Sequence, residues 1–258
     1  MKRLLFLYLL VSLSSLSSPE FSRAIEPRDN TPANGRFSLS INLGWASYRM
    51  TEFNKYFVDG YNDRLQSQYG HVSNGPLAVA EINYSALPNI SFALGVSYLK
   101  ANTTSSTFTT IYVDGYGNTI DSVVYENKLS SYIVSPQAKI KYHFSLRGLH
   151  LFCGSGIAWT IGRLIMKDIQ TAGSLQRPDY GPQFYRAGGA GISLFIGSSH
   201  EINKAVSING EIGYRLYNSP TLSSKDGGDF TVDYNGQATP IKLNYSGAYL
   251  GIGSSFNL

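Results

Sequence analysis

The chain has 258 residues, of which 43% are hydrophobic, 13% aromatic and only 15% charged, with a formal net charge of +4. So little charge beside 26 glycines, 19 tyrosines and 13 phenylalanines excludes a disordered chain and a long charged coiled coil. The single cysteine, Cys153, excludes a disulfide scaffold and a cysteine zinc cluster, and the small basic excess is no nucleic-acid footprint.

Residues 1–24 read as a signal peptide. Lys2 and Arg3 form a basic start, residues 4–16 are apolar, and Ser22-Arg23-Ala24 is a small-x-small cleavage site. The apolar run is short for a spanning helix, which needs about 20 residues. A short polar lead, 25–35, follows, and 36–258 is read as one domain. Export leaves two options: a soluble protein, or a membrane barrel whose strands escape a hydropathy window.

From Phe37 onward the apolar residues recur with period two, as in strands with one apolar face. Phe37, Leu39, Ile41, Leu43 and Trp45 make the first stripe. Ala78, Ala80, Ile82 and Tyr84 make the second, and Ile90, Phe92, Leu94, Val96 and Tyr98 the third. The fourth runs Tyr132, Val134, Pro136, Ala138, Ile140, Tyr142, Phe144, where the proline is expected to mark a bulge. Later stripes lie in 149–161, 190–196, 206–216 and 248–258. These eight strands are joined by alternating short and long connections, which places all long loops at one end of an up-and-down antiparallel sheet.

The apolar stripes contain no Asp, Glu, Lys or Arg; Glu81, Lys139, Lys141, Glu211 and Arg215 all fall on the opposite face. A charge at the lipid midplane costs roughly 2–4 kcal/mol, so a lipid-facing stripe must be clean. A soluble barrel would instead carry Lys and Glu outside, and here that face is mostly Ser, Gly, Asn and Thr. With the N-terminus on the periplasmic side, Trp45, Tyr98, Tyr132, Trp159 and Tyr214 fall near the outer end of the apolar band. Tyr84, Tyr142, Phe144 and Phe256 fall near the inner end. Two aromatic girdles are what barrel interfaces carry. The expected fold is an all-β, eight-stranded antiparallel transmembrane barrel.

The alternating strands, the long outer loops and the last strand, with Leu250, Ile252, Phe256 and Leu258 on one face, resemble the small bacterial outer-membrane β-barrel proteins of the OmpX/OmpA type. The resemblance covers nearly all of the mature chain. It implies an outer-membrane location, membrane lipid and the barrel insertion machinery as partners, and a closing strand read by that machinery. Here the final residue is Leu258 rather than the usual aromatic.

An eight-stranded barrel is just wide enough for side chains to fill it. The lumen charges are therefore expected to pair, mainly Glu81 and Glu211 with Lys139 and Arg215, either as a plug that fixes register or as an ion or proton path. Enzyme chemistry is poorly supported. His143, His150 and His200 lie toward the periplasmic end and His71 stands alone in a long loop; no spacing gives a nucleophile–base pair or a metal site. No cofactor motif is present, since Gly188-Gly-Ala-Gly191 lacks the Lys-Ser/Thr of a phosphate loop. In the long loops, Phe53, Tyr56 and Phe57 at helical spacing behind Thr51 predict a short amphipathic helix, lying on the rim or closing the mouth. Residues 107–125 read as a hairpin. Its Tyr112 and Tyr116, with Phe53, Tyr56 and Phe57, are candidate contacts for an extracellular partner. The expectation is a monomeric, non-enzymatic surface or envelope protein. The alternatives are a narrow channel or small-hydrophobe conduit, and a secreted lipocalin-like binding barrel.

Overall fold

The computed structural model describes residues 25–26, 36–60, 62, 69–104, 108–113, 116–117, 119–146, 149–172, 183–218, 221–224, 227–234 and 236–258. The predicted signal peptide and most of the polar lead lie outside these residues. Eight long strands build a barrel: β2 (Arg36–Ser47), β3 (Asn74–Leu87), β4 (Ile90–Thr104), β6 (Thr119–Leu146), β7 (Leu149–Ala172), β8 (Gln183–Glu201), β9 (Val206–Asn218) and β12 (Gly247–Asn257). Each pairs antiparallel with its chain neighbour, and β12 pairs with both β9 and β2, which closes the sheet. Short elements complete the set: β1 (Ile25–Glu26) against the end of β6, β5 (Phe108–Val113) in the predicted hairpin with β6, and the β10 (Thr231–Tyr234)–β11 (Gln237–Pro240) pair.

The period-two stripes face outward. Leu94 is 69% exposed and Ile161 60%, while Glu81, between outward Ala80 and Ile82, is 1% exposed. All nine predicted girdle aromatics lie on this outer face, with Phe37 and Tyr84 rings 5.0 Å apart at one end and Tyr98 and Tyr132 6.2 Å apart at the other. Leu250, Ile252, Phe256 and Leu258 also face outward. Such a continuous apolar belt is incompatible with water and matches a bilayer core.

A crossing strand needs about 9–11 residues. β6, β7 and β8 have 28, 24 and 19, so they continue well beyond the belt at the long-loop end. Pro136 does not introduce a bulge. The β6–β7 register is the same on both sides of it, Val134↔Ile161 and Gln137↔Ala158, and only the two intervening pairs are lost. The missing proline N–H breaks the ladder without adding a residue.

Candidate functional site

The barrel interior has three levels. The middle one is an ion-pair layer. Glu81 of β3 is wedged between two lysines of β6: its Oε1 is 2.7 Å from Lys139 Nζ and its Oε2 2.7 Å from Lys141 Nζ. Lys139 also reaches Glu211 Oε1 of β9 at 3.0 Å. The remaining capacity is filled by neighbours. Gln137 donates to Glu81 at 3.0 Å, Tyr249 of β12 donates to Glu211 at 2.7 Å, and Lys141 donates to Asn83 at 2.8 Å. Two carboxylates and two ammonium groups thus form a neutral, hydrogen-bonded network that crosses the lumen, as buried charges require.

Arg215 does not join it. The guanidinium lies 4.9 Å from the Tyr249 ring and 5.7 Å from that of Tyr217, and its Nε and Nη2 have no hydrogen-bond partner within the protein. The expected Glu–Arg215 pairing is not made: Lys139, on the same register row as Arg215, bridges both carboxylates instead. Lys141 takes the place expected of Arg215. Four aromatic residues that sequence reasoning left unassigned line this space: Phe152, Phe195, Tyr217 and Tyr249. Lys139 lies 4.7 Å over the Phe195 ring and Lys141 5.7 Å over Phe152. The signal for Phe152 was hidden because it sits between Leu151 and Cys153, so that residues 151–153 are apolar on both faces.

The room for Glu81 comes from Gly95 opposite it. A Cβ there would stand 2.3 Å from the Ala80 carbonyl oxygen and 2.7 Å from Glu81 Cγ. Gly95→Ala is therefore expected to destabilise the barrel by about 1–3 kcal/mol. Gly188→Ala, whose Cβ meets nothing nearer than 3.7 Å, is expected to be near neutral. Urea unfolding in neutral lipid vesicles compares the two.

Above the ion layer the extended strands enclose an apolar cap. The helical turn Phe53–Asp59 folds inward, so Phe53 and Phe57 are buried and stack at 5.1 Å, with Tyr56 packed beside them. Phe53 and Phe57 are thus unavailable as partner contacts, while Tyr56 is only partly buried: the turn closes the mouth rather than lying on the rim. Thr51 sits within the helical turn instead of capping it, and Glu52 makes no side-chain cap bond. Asn54 pins the loop by exchanging two 2.9 Å hydrogen bonds with the Val72 backbone. The segment before β12 supplies Leu222, Ile241, Leu243 and Tyr245 to the same core. Tyr245 shares a short hydrogen bond with Ser131 and packs edge-on to Tyr48 at 5.0 Å. Burial pushes the Tyr48 hydroxyl up to about 12 and raises that of Tyr245 further. Of the hairpin tyrosines, Tyr116 is fully exposed, and the Tyr112 side chain lies outside the described residues.

Below the ion layer a polar vestibule of about 410 Å³ opens at the short-turn end. There the fold brings Ser91 Oγ within 2.7 Å of His143 Nε2, a pair 52 residues apart that no spacing rule could find. The pair stands among other polar side chains of the vestibule, Asn42, Asn83 and Lys141 among them. His71 is not alone, as its Nε2 is 2.7 Å from Asp59 Oδ1, but both side chains are about half exposed. A second cavity, about 660 Å³, lies at the long-loop end of the wall, between outward Ile157, Trp159, Ile192 and Leu216 and the inward Tyr217. Among the described residues no group of His, Cys, Asp and Glu could hold a metal ion.

The belt, the closed ladder and the filled interior define a membrane-spanning, antiparallel eight-stranded β-barrel. No protein-family model and no curated protein matches the chain. Solved structures of similar layout include a major outer membrane protein from Thermus thermophilus, at 12% identity and TM-score 0.46, covering 87% of this chain and 99% of that one. The outer membrane protein OprG from Pseudomonas aeruginosa is 10% identical, with TM-score 0.45 and coverage of 88% and 96%. Neisserial surface protein A is 10% identical, with TM-score 0.40 and coverage of 87% and 99%.

Proposed function

We propose that this chain is a non-enzymatic outer-membrane β-barrel with an occluded lumen, acting at the cell surface through its long-loop end rather than by conducting solutes. The observation that supports it best is the double closure. A neutral ion-pair layer spans the lumen, and an apolar cap with Phe57, Leu222, Ile241 and Tyr245 fully buried lies above it. An ion crossing this path would have to displace paired charges and then enter an apolar core, and both steps are costly. The wild-type protein in planar bilayers is expected to give no stable conductance steps. Regular single-channel steps would sink the closed-barrel reading. Washed outer membranes should contain it as a compact band that shifts on boiling, and its appearance in a soluble fraction without that shift would refute the location.

The polar side-chain pairs do not favour catalysis. The Asp59–His71 pair is solvated, and a water-exposed dyad lacks the low-dielectric preorganisation that makes such groups effective. The wall cavity beside Trp159 keeps a small-hydrophobe conduit as the second reading. Saturable uptake of a hydrophobic dye into vesicles containing the protein, lost in Tyr217→Trp, would favour it over the first.

A further inference from the structure

Just above the apolar belt, the outer face of β6, β7 and β8 carries an arrangement that sheets ordinarily avoid. Arg163 of β7 is register partner to Arg186 of β8, and Lys128 of β6 is register partner to Lys167 of β7. All four side chains are exposed on the outward face. The same register row runs from Lys100 of β4 through Tyr132 of β6 to Arg163 and Arg186, so a fifth basic residue joins the patch. Directly opposed residues have Cα atoms about 4.5–5.5 Å apart, and like charges so placed repel. Among the described residues none of the five makes an ion pair with Asp or Glu. Next to this patch on the belt side come Tyr98, Val134, Ile161 and then Trp159, all outward.

We propose that this patch is a binding site for a phosphate-bearing lipid headgroup of the outer leaflet, whose acyl chains lie on the belt beneath. The charge complementarity is specific. Two crowded like-charge pairs are relieved by a multiply charged anion between them, and Arg offers bidentate donors to phosphate. The height is right as well, because the patch stands where the aromatic girdle ends, at headgroup level. Solvated surface lysines alone would not need to be grouped as cross-strand pairs, and a free phosphate would gain nothing from the apolar wall below.

The proposal rests on the membrane-barrel reading, which the boiling-shift assay tests separately in the same preparation. In non-ionic micelles, native mass spectrometry would follow binding of lipid A, of its dephosphorylated form and of inorganic phosphate. The compactly folded wild type is expected to bind lipid A and to bind the dephosphorylated form much more weakly. Each basic residue near an anionic surface contributes roughly a fivefold change in binding, so the R163Q/R186Q/K128Q/K167Q variant should bind lipid A about a hundredfold or more weakly. Without lipid that variant should be no less stable than wild type, since only repulsion has been removed. Equal binding of the two lipid A forms overturns the site. So does unchanged binding by the folded variant. Displacement of lipid A by inorganic phosphate at equal phosphate concentration identifies a free-anion patch and overturns the lipid assignment. If the variant fails to fold, the wild-type comparison between the two lipids decides alone.

Discussion

Glu81→Ala is expected to destabilise the barrel by about 3–5 kcal/mol, the largest effect of any single truncation in the lumen. The carboxylate is the hub of the ion layer. Without it Lys139 keeps only Glu211, and Lys141 keeps only the neutral Asn83. Two buried ammonium groups then face one carboxylate, and the loss reflects the charge left uncompensated rather than the worth of the contact removed. Glu81→Gln should therefore be nearly as damaging, although it conserves volume. Adding Lys141→Met to Glu81→Gln should recover part of the loss, because the excess charge is removed with its partner. Urea unfolding in phosphatidylcholine vesicles, followed by tryptophan fluorescence, gives the values. A Glu81→Ala protein within about 0.5 kcal/mol of wild type, the usual range for unremarkable surface changes, would show that the layer carries no structural charge balance.

Leu94→Arg is expected to cost about 2–4 kcal/mol. Leu94 is 69% exposed, and in a soluble protein replacing so exposed a leucine by arginine would be close to neutral. The sign of the result therefore depends on the solvent outside the barrel. Phe92 and Val96 flank it on the same face, so the arginine has no nearby polar group to reach. Ser97→Arg would not serve as the comparison, because that residue points into the filled lumen. Asn102→Arg is the fitting control. It lies on the same strand and face as Leu94 but above the belt, and it should be tolerated. Equal stability of Leu94→Arg and Asn102→Arg would falsify the lipid-facing assignment of the stripes.

Most of the barrel could be read along the chain because each strand carries its own record of which face meets lipid. The alternation Ile90, Phe92, Leu94, Val96, Tyr98 needs no partner to be recognised, and the alternation of short and long connections gives the up-and-down order. Glu81, Lys139, Lys141 and Glu211 were identifiable as lumen charges by parity. Their pairing was not. Lys139 and Glu211 are 72 residues apart, and which ammonium reaches which carboxylate follows from the stagger of β3, β6 and β9. The same limit hid the separation of Arg215 from the carboxylates and the Ser91–His143 contact. Phe53 and Phe57 show the converse case. Their helical spacing was evident, but a helix on the rim and a helix in the mouth share one sequence pattern. Only the continuation of β6 and β7 above the belt creates an apolar interior for them to enter.

The sequence by itself thus determined the fold class, the number of strands, their outer faces and the ends bearing long loops, because these are set by local periodicity and by the exclusion of charge from lipid. Tertiary structure decided the register. From the register came the neutral ion layer, the inward turn of residues 51–60 and the pairing of Arg163 with Arg186 and Lys128 with Lys167. Contacts between strands depend on how far each one slides against the next, and no single strand records that offset.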